Sequence, residues 1–148
     1  MNKISVKIKI LDENAKIPAY ATEFAAGADL YACEKSEVTI EPNQTKLIHT
    51  GLAMEIPAGL VGLIYARSGL ASKKGLAPAN KVGVIDSDYR GEIMVALHNH
   101  GTEAQTIADG ERIAQIVFAP YYAAEFTIVD ALNDTARGAG GFGSTGTK

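Results

Sequence analysis

Apolar and polar residues alternate with a period of two at the start of the chain, where Ile4, Val6, Ile8 and Ile10 are separated by Ser5, Lys7 and Lys9. That pattern predicts a half-buried strand from the first residues to Ile10. Short β-type runs recur at Val38 to Ile40, Lys46 to His49, Leu60 to Tyr65, Val82 to Ile85, Ile93 to Leu97, Ile113 to Phe118 and Phe126 to Val129. Turn signals punctuate them: Asp12-Glu13-Asn14, Pro18, Glu41-Pro42-Asn43, Pro57-Ala58-Gly59, Asn99-His100-Gly101 and Asp109-Gly110. Many short strands at this spacing predict an all-β sandwich or barrel. Helical character is confined to Ser68 to Lys74, with Ser68 positioned as N-cap and Gly75 as the stop.

The stretch Gly83 to Ile93 carries more than strand pattern. Asn80 to Ile85 lead in with β-branched weight, the chain turns at Asp86-Ser87-Asp88, and Gly91 lets it return as Ile93, Val95 and Leu97. It reads as a β-hairpin whose tip holds two aspartates, Tyr89 and Arg90. An isolated aspartate in a turn most often serves the turn by accepting nearby backbone N–H groups. A second polar cluster, Ala66-Arg67-Ser68-Gly69, sits where a strand meets the short helix. Free N–H groups at a helix start and a forked arginine suit an anion, although a capped helix with a surface arginine is the more ordinary reading.

Composition narrows the class. At 148 residues, 47% hydrophobic and 21% charged, the chain is one ordinary globular domain. Its net charge of −3 gives no basic footprint for nucleic acid. There is no apolar run of membrane-spanning length, and no Walker-type glycine-lysine loop. The single Cys33 excludes an intramolecular disulfide and suits a reducing, cytoplasmic setting. His98 and His100 fall on one face of a strand but have no carboxylate or thiol near in sequence, so a zinc site is not expected. From Ala131 the composition changes, and Arg137 to Gly146 holds five glycines with no core pattern. Residues 1–136 are therefore expected as one β domain and 137–148 as a flexible arm. One arginine, one aromatic and a Ser-Thr pair also equip that arm to bind phosphate and stack on a base.

Five segments in order resemble the five motifs of the trimeric dUTPase family. They are Ala26-Gly27-Ala28-Asp29-Leu30-Tyr31-Ala32, Arg67-Ser68-Gly69-Leu70-Ala71, the stretch Gly83 to Ile93, Gly110-Glu111-Arg112-Ile113-Ala114-Gln115-Ile116, and the glycine-rich tail. The resemblance spans nearly the whole chain. It implies a jelly-roll-like β-clip fold with one short helix, assembled as a homotrimer with active sites shared between subunits and closed by the C-terminal arm.

The implied reaction is dUTP and water to dUMP and pyrophosphate with Mg²⁺, which supplies dUMP for dTTP synthesis and limits uracil in DNA. By resemblance Asp86 is the base that activates water for attack on the α-phosphorus. Arg67, Ser68, Gly69 and Gln115 hold phosphate oxygens, and Arg137, Ser144 and Thr145 grip the outer phosphates from the arm. Asp29 reaches the metal through water. Asn80, Gly83, Val84, Ile85 and Met94 belong to the stretch whose backbone reads uracil. Tyr89 lies under the deoxyribose and excludes a 2′-hydroxyl, and Phe142 with Gly143 covers the base. The expected partners are dUTP and further copies of the chain, with no nucleic acid or membrane. Two rivals remain open: a dCTP deaminase on a related fold, and a nucleotide-sensing module without turnover.

Overall fold

A computed structural model describes residues 3–141. Its eleven strands and one helix are β1 (Lys7–Ile10), β2 (Ala19–Tyr20), β3 (Ala28–Tyr31), β4 (Val38–Ile40), β5 (Thr45–Glu55), β6 (Leu60–Tyr65), α1 (Ser68–Lys74), β7 (Leu76–Pro78), β8 (Gly83–Ile85), β9 (Glu92–Asn99), β10 (Gln105–Ile107) and β11 (Arg112–Pro120). They form a four-stranded sheet in the order β1-β5-β9-β7, a five-stranded sheet in the order β2-β3-β11-β6-β8, and the pair β10-β4, every pairing antiparallel. The all-β, jelly-roll-like reading holds.

The core lies between the sheets because alternation puts one side of each strand there. Along β9, Ile93, Val95, Leu97 and Asn99 are buried while Glu92, Met94, Ala96 and His98 face outward. Ile64, Ile113 and Ile116 face them from the five-stranded sheet, and Ile40 and Ile107 close one end. Asn99 is the polar member of this row. Its Nδ2 donates to the carbonyls of Ile40 (2.9 Å) and Glu103 (2.8 Å), and its Oδ1 accepts from Gly101 N–H (2.9 Å), so its burial leaves no amide atom unpaired.

Four expectations are corrected. The first strand starts at Lys7 rather than at the first residues, with Ile4 half exposed before it. The stretch Gly83 to Ile93 is not a hairpin: β8 pairs with β6, whereas β9 pairs with β5 and β7 in the other sheet. The turn at Asp86 is a corner between two sheets. Alternation gives each strand its two faces but does not say which neighbour completes its ladder. In α1 the N-cap position belongs to Arg67, with no side-chain cap, and Ser68 is already helical. Gly75 does stop the helix in the left-handed region at φ 65°, its N–H bonded to Leu70 C=O. Finally, Phe126 to Val129 forms no strand, because nothing among the described residues pairs with it. Phe126 and Ile128 are almost wholly exposed.

Candidate functional site

Two cavities gather most of the chemistry, and they share no wall residue. The larger, about 600 Å³, opens where β3, β11 and the β6–α1 junction meet. Asp29 on β3 lies at its base, 7% exposed. Its Oδ1 accepts from Arg67 Nε at 2.7 Å and its Oδ2 from Arg112 Nη1 at 3.3 Å. The carboxylate thus holds the Arg67 side chain through Nε, and Arg67 lines the cavity with Ser68 and Gly69. With no side-chain cap and no acidic residue in the first turn of α1, the local dipole at Ser68 and Gly69 is uncompensated. Gln115 on β11 donates from Nε2 to Ala66 C=O at 2.9 Å and so holds the residue before Arg67. Gly27 leaves room for that side chain: a Cβ there would meet Gln115 Cδ at 3.0 Å and Cβ at 3.2 Å.

The smaller cavity, about 230 Å³, is walled by Leu47, Val84, Ile85, Asp86, Tyr89, Glu92 and Met94. Leu47 and Val84 are 59% and 60% exposed, an uncovered apolar wall beside a carboxylate. Asp86 borders this cavity and Asp88 does not. Among the described residues neither carboxylate takes a turn N–H. The corner is instead held by Tyr89 N–H to Asp86 C=O (3.2 Å) and by Arg90 Nη1 to the carbonyls of Ser87 (2.7 Å) and Tyr89 (2.9 Å). The ordinary structural role of a turn aspartate is therefore filled by other groups. β8 is the edge of its sheet, so one side of its backbone has unpaired N–H and C=O groups. Gly83 on β8 is buried against Ile64, and Asn80 is exposed in the preceding turn. Neither borders the cavity.

The two cavities lie at opposite ends of one strand pair. Ile85 stands opposite Gly62 on β6, and Tyr65 ends that strand. Three strand steps separate Gly62 from Tyr65, about 10 Å at the usual rise. Asp86 and Arg67 extend beyond those two points in opposite directions.

The described part of the arm, residues 137–141, joins neither cavity. Arg137 is exposed, its Nε donating to Gly140 C=O at 2.8 Å within its own turn. Phe142, Gly143, Ser144 and Thr145 lie outside the described residues. Sequence reasoning attached no role to Gly27, Tyr65, Arg112, Leu47 or Glu92. Gly27, Arg112 and Glu92 stand inside quoted motifs, whereas Leu47 reaches the smaller cavity only through the pairing of β5 with β9, which no local signal announces. No group of three or more His, Cys, Asp or Glu side chains suited to a metal is present among the described residues. Asp29, flanked by two guanidinium groups, does not suit a resident cation. It does fit Mg²⁺ held mainly by phosphates, since each carboxylate oxygen can accept a further bond from a metal-bound water.

Comparison with known proteins agrees across methods. The dUTPase family model matches residues 13–146. The deoxyuridine 5′-triphosphate nucleotidohydrolase of Desulfitobacterium hafniense is 58% identical, covering 99% of both chains. That of Nautilia profundicola is 55% identical, covering 97% of this chain and 99% of its own. Among solved structures, the Staphylococcus bacteriophage 80alpha dUTPase with dUPNHPP superposes with a TM-score of 0.89 at 30% identity, covering 97% of this chain and 99% of its own. The dUTPase of phage phi11 of S. aureus, described with a structural Mg(II) ion, gives a TM-score of 0.77 at 27% identity, covering 86% and 98%.

Proposed function

Because this chain belongs to the dUTPase family and is thereby a hydrolase of dUTP, we propose that its two cavities are halves of one nucleotide site completed between copies of the chain. One copy supplies the base and sugar half at the smaller cavity. A second supplies the phosphate half at Arg67, and the arm of a copy closes over both, in a homotrimer. The observation that carries this reading is the separation of Asp86 from Arg67 into cavities with no common wall. The exposed apolar run Phe126, Ile128 and Leu132 supports it, since such residues gain most by packing on another copy.

In this reading uracil lies along the free edge of β8, where backbone donors and acceptors of the Gly83 to Ile85 strand match its edge and mismatch that of cytosine. Buried groups left unpaired by the wrong base reject it by about 10⁴. Val84, Ile85 and Met94 supply the apolar wall, and Asn80 steadies the entry to the strand. Tyr89 lies against the deoxyribose and leaves no space for a 2′-hydroxyl. Phe142 and Gly143 cover the base from the arm.

Asp86 accepts a proton from a water aligned with the α-phosphorus. The water oxygen forms a bond to that phosphorus as the bond to the bridging oxygen breaks, and pyrophosphate leaves with the electron pair. Arg67, Ser68, Gly69 and Gln115 hold phosphate oxygens in line, with Arg137, Ser144 and Thr145 gripping the outer phosphates. Charge-assisted bonds of this kind contribute about 1.5–3 kcal/mol each, enough in concert to hold a triphosphate on a protein of negative net charge. Asp29 would hold Mg²⁺ through a water, and the ion would supply charge neutralisation to the phosphates. The reaction provides dUMP for dTTP synthesis and limits uracil incorporation into DNA.

We place the enzyme in the cytoplasm. No helix among the described residues is long and apolar enough to cross a membrane, and a single cysteine suits a reducing setting. The test is incubation with dUTP, dCTP, dTTP and UTP in Mg²⁺, measuring pyrophosphate and ammonia. Pyrophosphate from dUTP well above the other three is the expected result. Ammonia from dCTP without pyrophosphate from dUTP would overturn the assignment.

A further inference from the structure

The corner between β8 and β9 contains a glycine whose backbone does not require one. Gly91 lies outside the left-handed region, where an alanine would be unstrained. Its need for a bare Cα comes from Tyr89. A Cβ built on Gly91 would collide with the phenol end of that ring, meeting its hydroxyl, Cζ at 2.6 Å and Cε2 at 3.0 Å. The ring would have to retreat by about 0.8 Å to regain ordinary contact.

The phenol end is also tethered: Tyr89 Oη donates to Glu92 C=O at 3.0 Å. Glu92 is itself held, with Oε1 accepting from Gly51 N–H at 2.9 Å and Oε2 bonded to His49 Nδ1 at 3.0 Å. The tyrosine is thus anchored to the start of a strand whose position is fixed from β5. It reaches that anchor only across the vacant side of Gly91. Tyr89 is a wall of the cavity and Gly91 is not, so any displacement of the ring reshapes that wall.

From this geometry we infer that Gly91 is a positioning residue for substrate selection, setting the depth at which Tyr89 stands in the nucleotide cavity. The inference rests on the reading of Tyr89 as the sugar-contacting wall. An alanine at 91 displaces the ring, reshapes the wall assigned to deoxyribose and breaks the tether to Glu92. The consequence is weaker nucleotide binding that depends wholly on the tyrosine being present.

The test is a double-mutant cycle on the full-length protein with Gly91→Ala, Tyr89→Ala and the double variant, measuring kcat and KM for dUTP and UTP. Gly91→Ala is expected to raise KM for dUTP about tenfold or more in the parent, and to change it by less than about twofold in the Tyr89→Ala background. Equal losses in both backgrounds, or no loss in the parent, would overturn the inference. Should Gly91→Ala fail to fold, the double variant decides: folding restored by removing the ring supports the inference, and failure of both overturns it. The sugar-gate reading is judged separately, by whether Tyr89→Ala raises the UTP to dUTP ratio of kcat/KM. An unchanged ratio removes that reading while the coupling between positions 89 and 91 still decides the contact.

Discussion

Replacing Asp29 by alanine tests whether its first task is to hold arginines. The side chain bridges Arg67 and Arg112 from an almost buried position, and those two side chains are 25% and 50% exposed. Removing one partner of a fully buried pair costs about 3–5 kcal/mol because a charge is left without compensation. An exposed pair contributes about 0–1 kcal/mol. Arg67 stands nearer the first case and Arg112 nearer the second, so Asp29→Ala should destabilise the fold by about 2–3 kcal/mol. For a chain of this length that corresponds to a fall in Tm of about 5–10 °C. Asp29→Asn keeps an oxygen for Arg67 Nε and should fall less. Asp29→Ala also releases the Arg67 side chain, so KM for dUTP should rise in that variant and rise less in Asp29→Asn. Thermal scans with steady-state pyrophosphate release over a Mg²⁺ titration separate the possibilities. A Tm within about 2 °C of the parent in Asp29→Ala, with KM unchanged and only the Mg²⁺ requirement raised, would show that Asp29 serves the metal alone.

Asp86→Asn should retain binding of dUPNHPP and lose at least about a hundredfold in turnover, as for a lost general base; near-parental turnover in a folded protein would move the base elsewhere. His49 should titrate above the ordinary imidazole range, chiefly through its hydrogen bond to Glu92, and His100 below it through desolvation. His49 therefore adds stability that is complete below about pH 6.5 and is lost as pH rises through its folded pKa, an effect that Glu92→Gln should abolish. Ring-proton titration by NMR checks this, and a His49 midpoint no higher than that of His100 would refute it. Asn99→Leu orphans the Ile40 and Glu103 carbonyls and the Gly101 N–H, and should cost about 3 kcal/mol or more in denaturant unfolding. Mixing Asp86→Asn chains with chains truncated before Arg137 should restore activity above either parent, whereas verified mixed trimers as inactive as the separate variants would end the shared-site reading.

What the sequence disclosed and what it withheld follow from the range of each physical signal. Alternation and β-type runs are local signals, so β9 and β11 were legible in place though not at their ends, as was Gly75 ending α1. Ladder partners are set by contacts distant in sequence, and for that reason the Asp86 corner resembled a hairpin until β8 paired with β6. Phe126 to Val129 shows the limit from the other side: a β-type run does not become a strand unless a ladder forms with it, and among the described residues none does. The site divides along the same line. Asp86, Arg67 and Gln115 stand in segments recognisable once all five are read together in order. Leu47 matters only because β5 is laid beside β9, with a register shift between His49 and Ala53. Gly91 is the sharpest case. Sequence assigns a glycine near a turn to backbone freedom, yet this one has an ordinary backbone and an occupied neighbourhood. A glycine kept for its missing Cβ cannot be told from one kept for its φ until the ring of Tyr89 is found lying against it. Alanine therefore discriminates the two roles, since it is tolerated by this backbone and refused only by that ring.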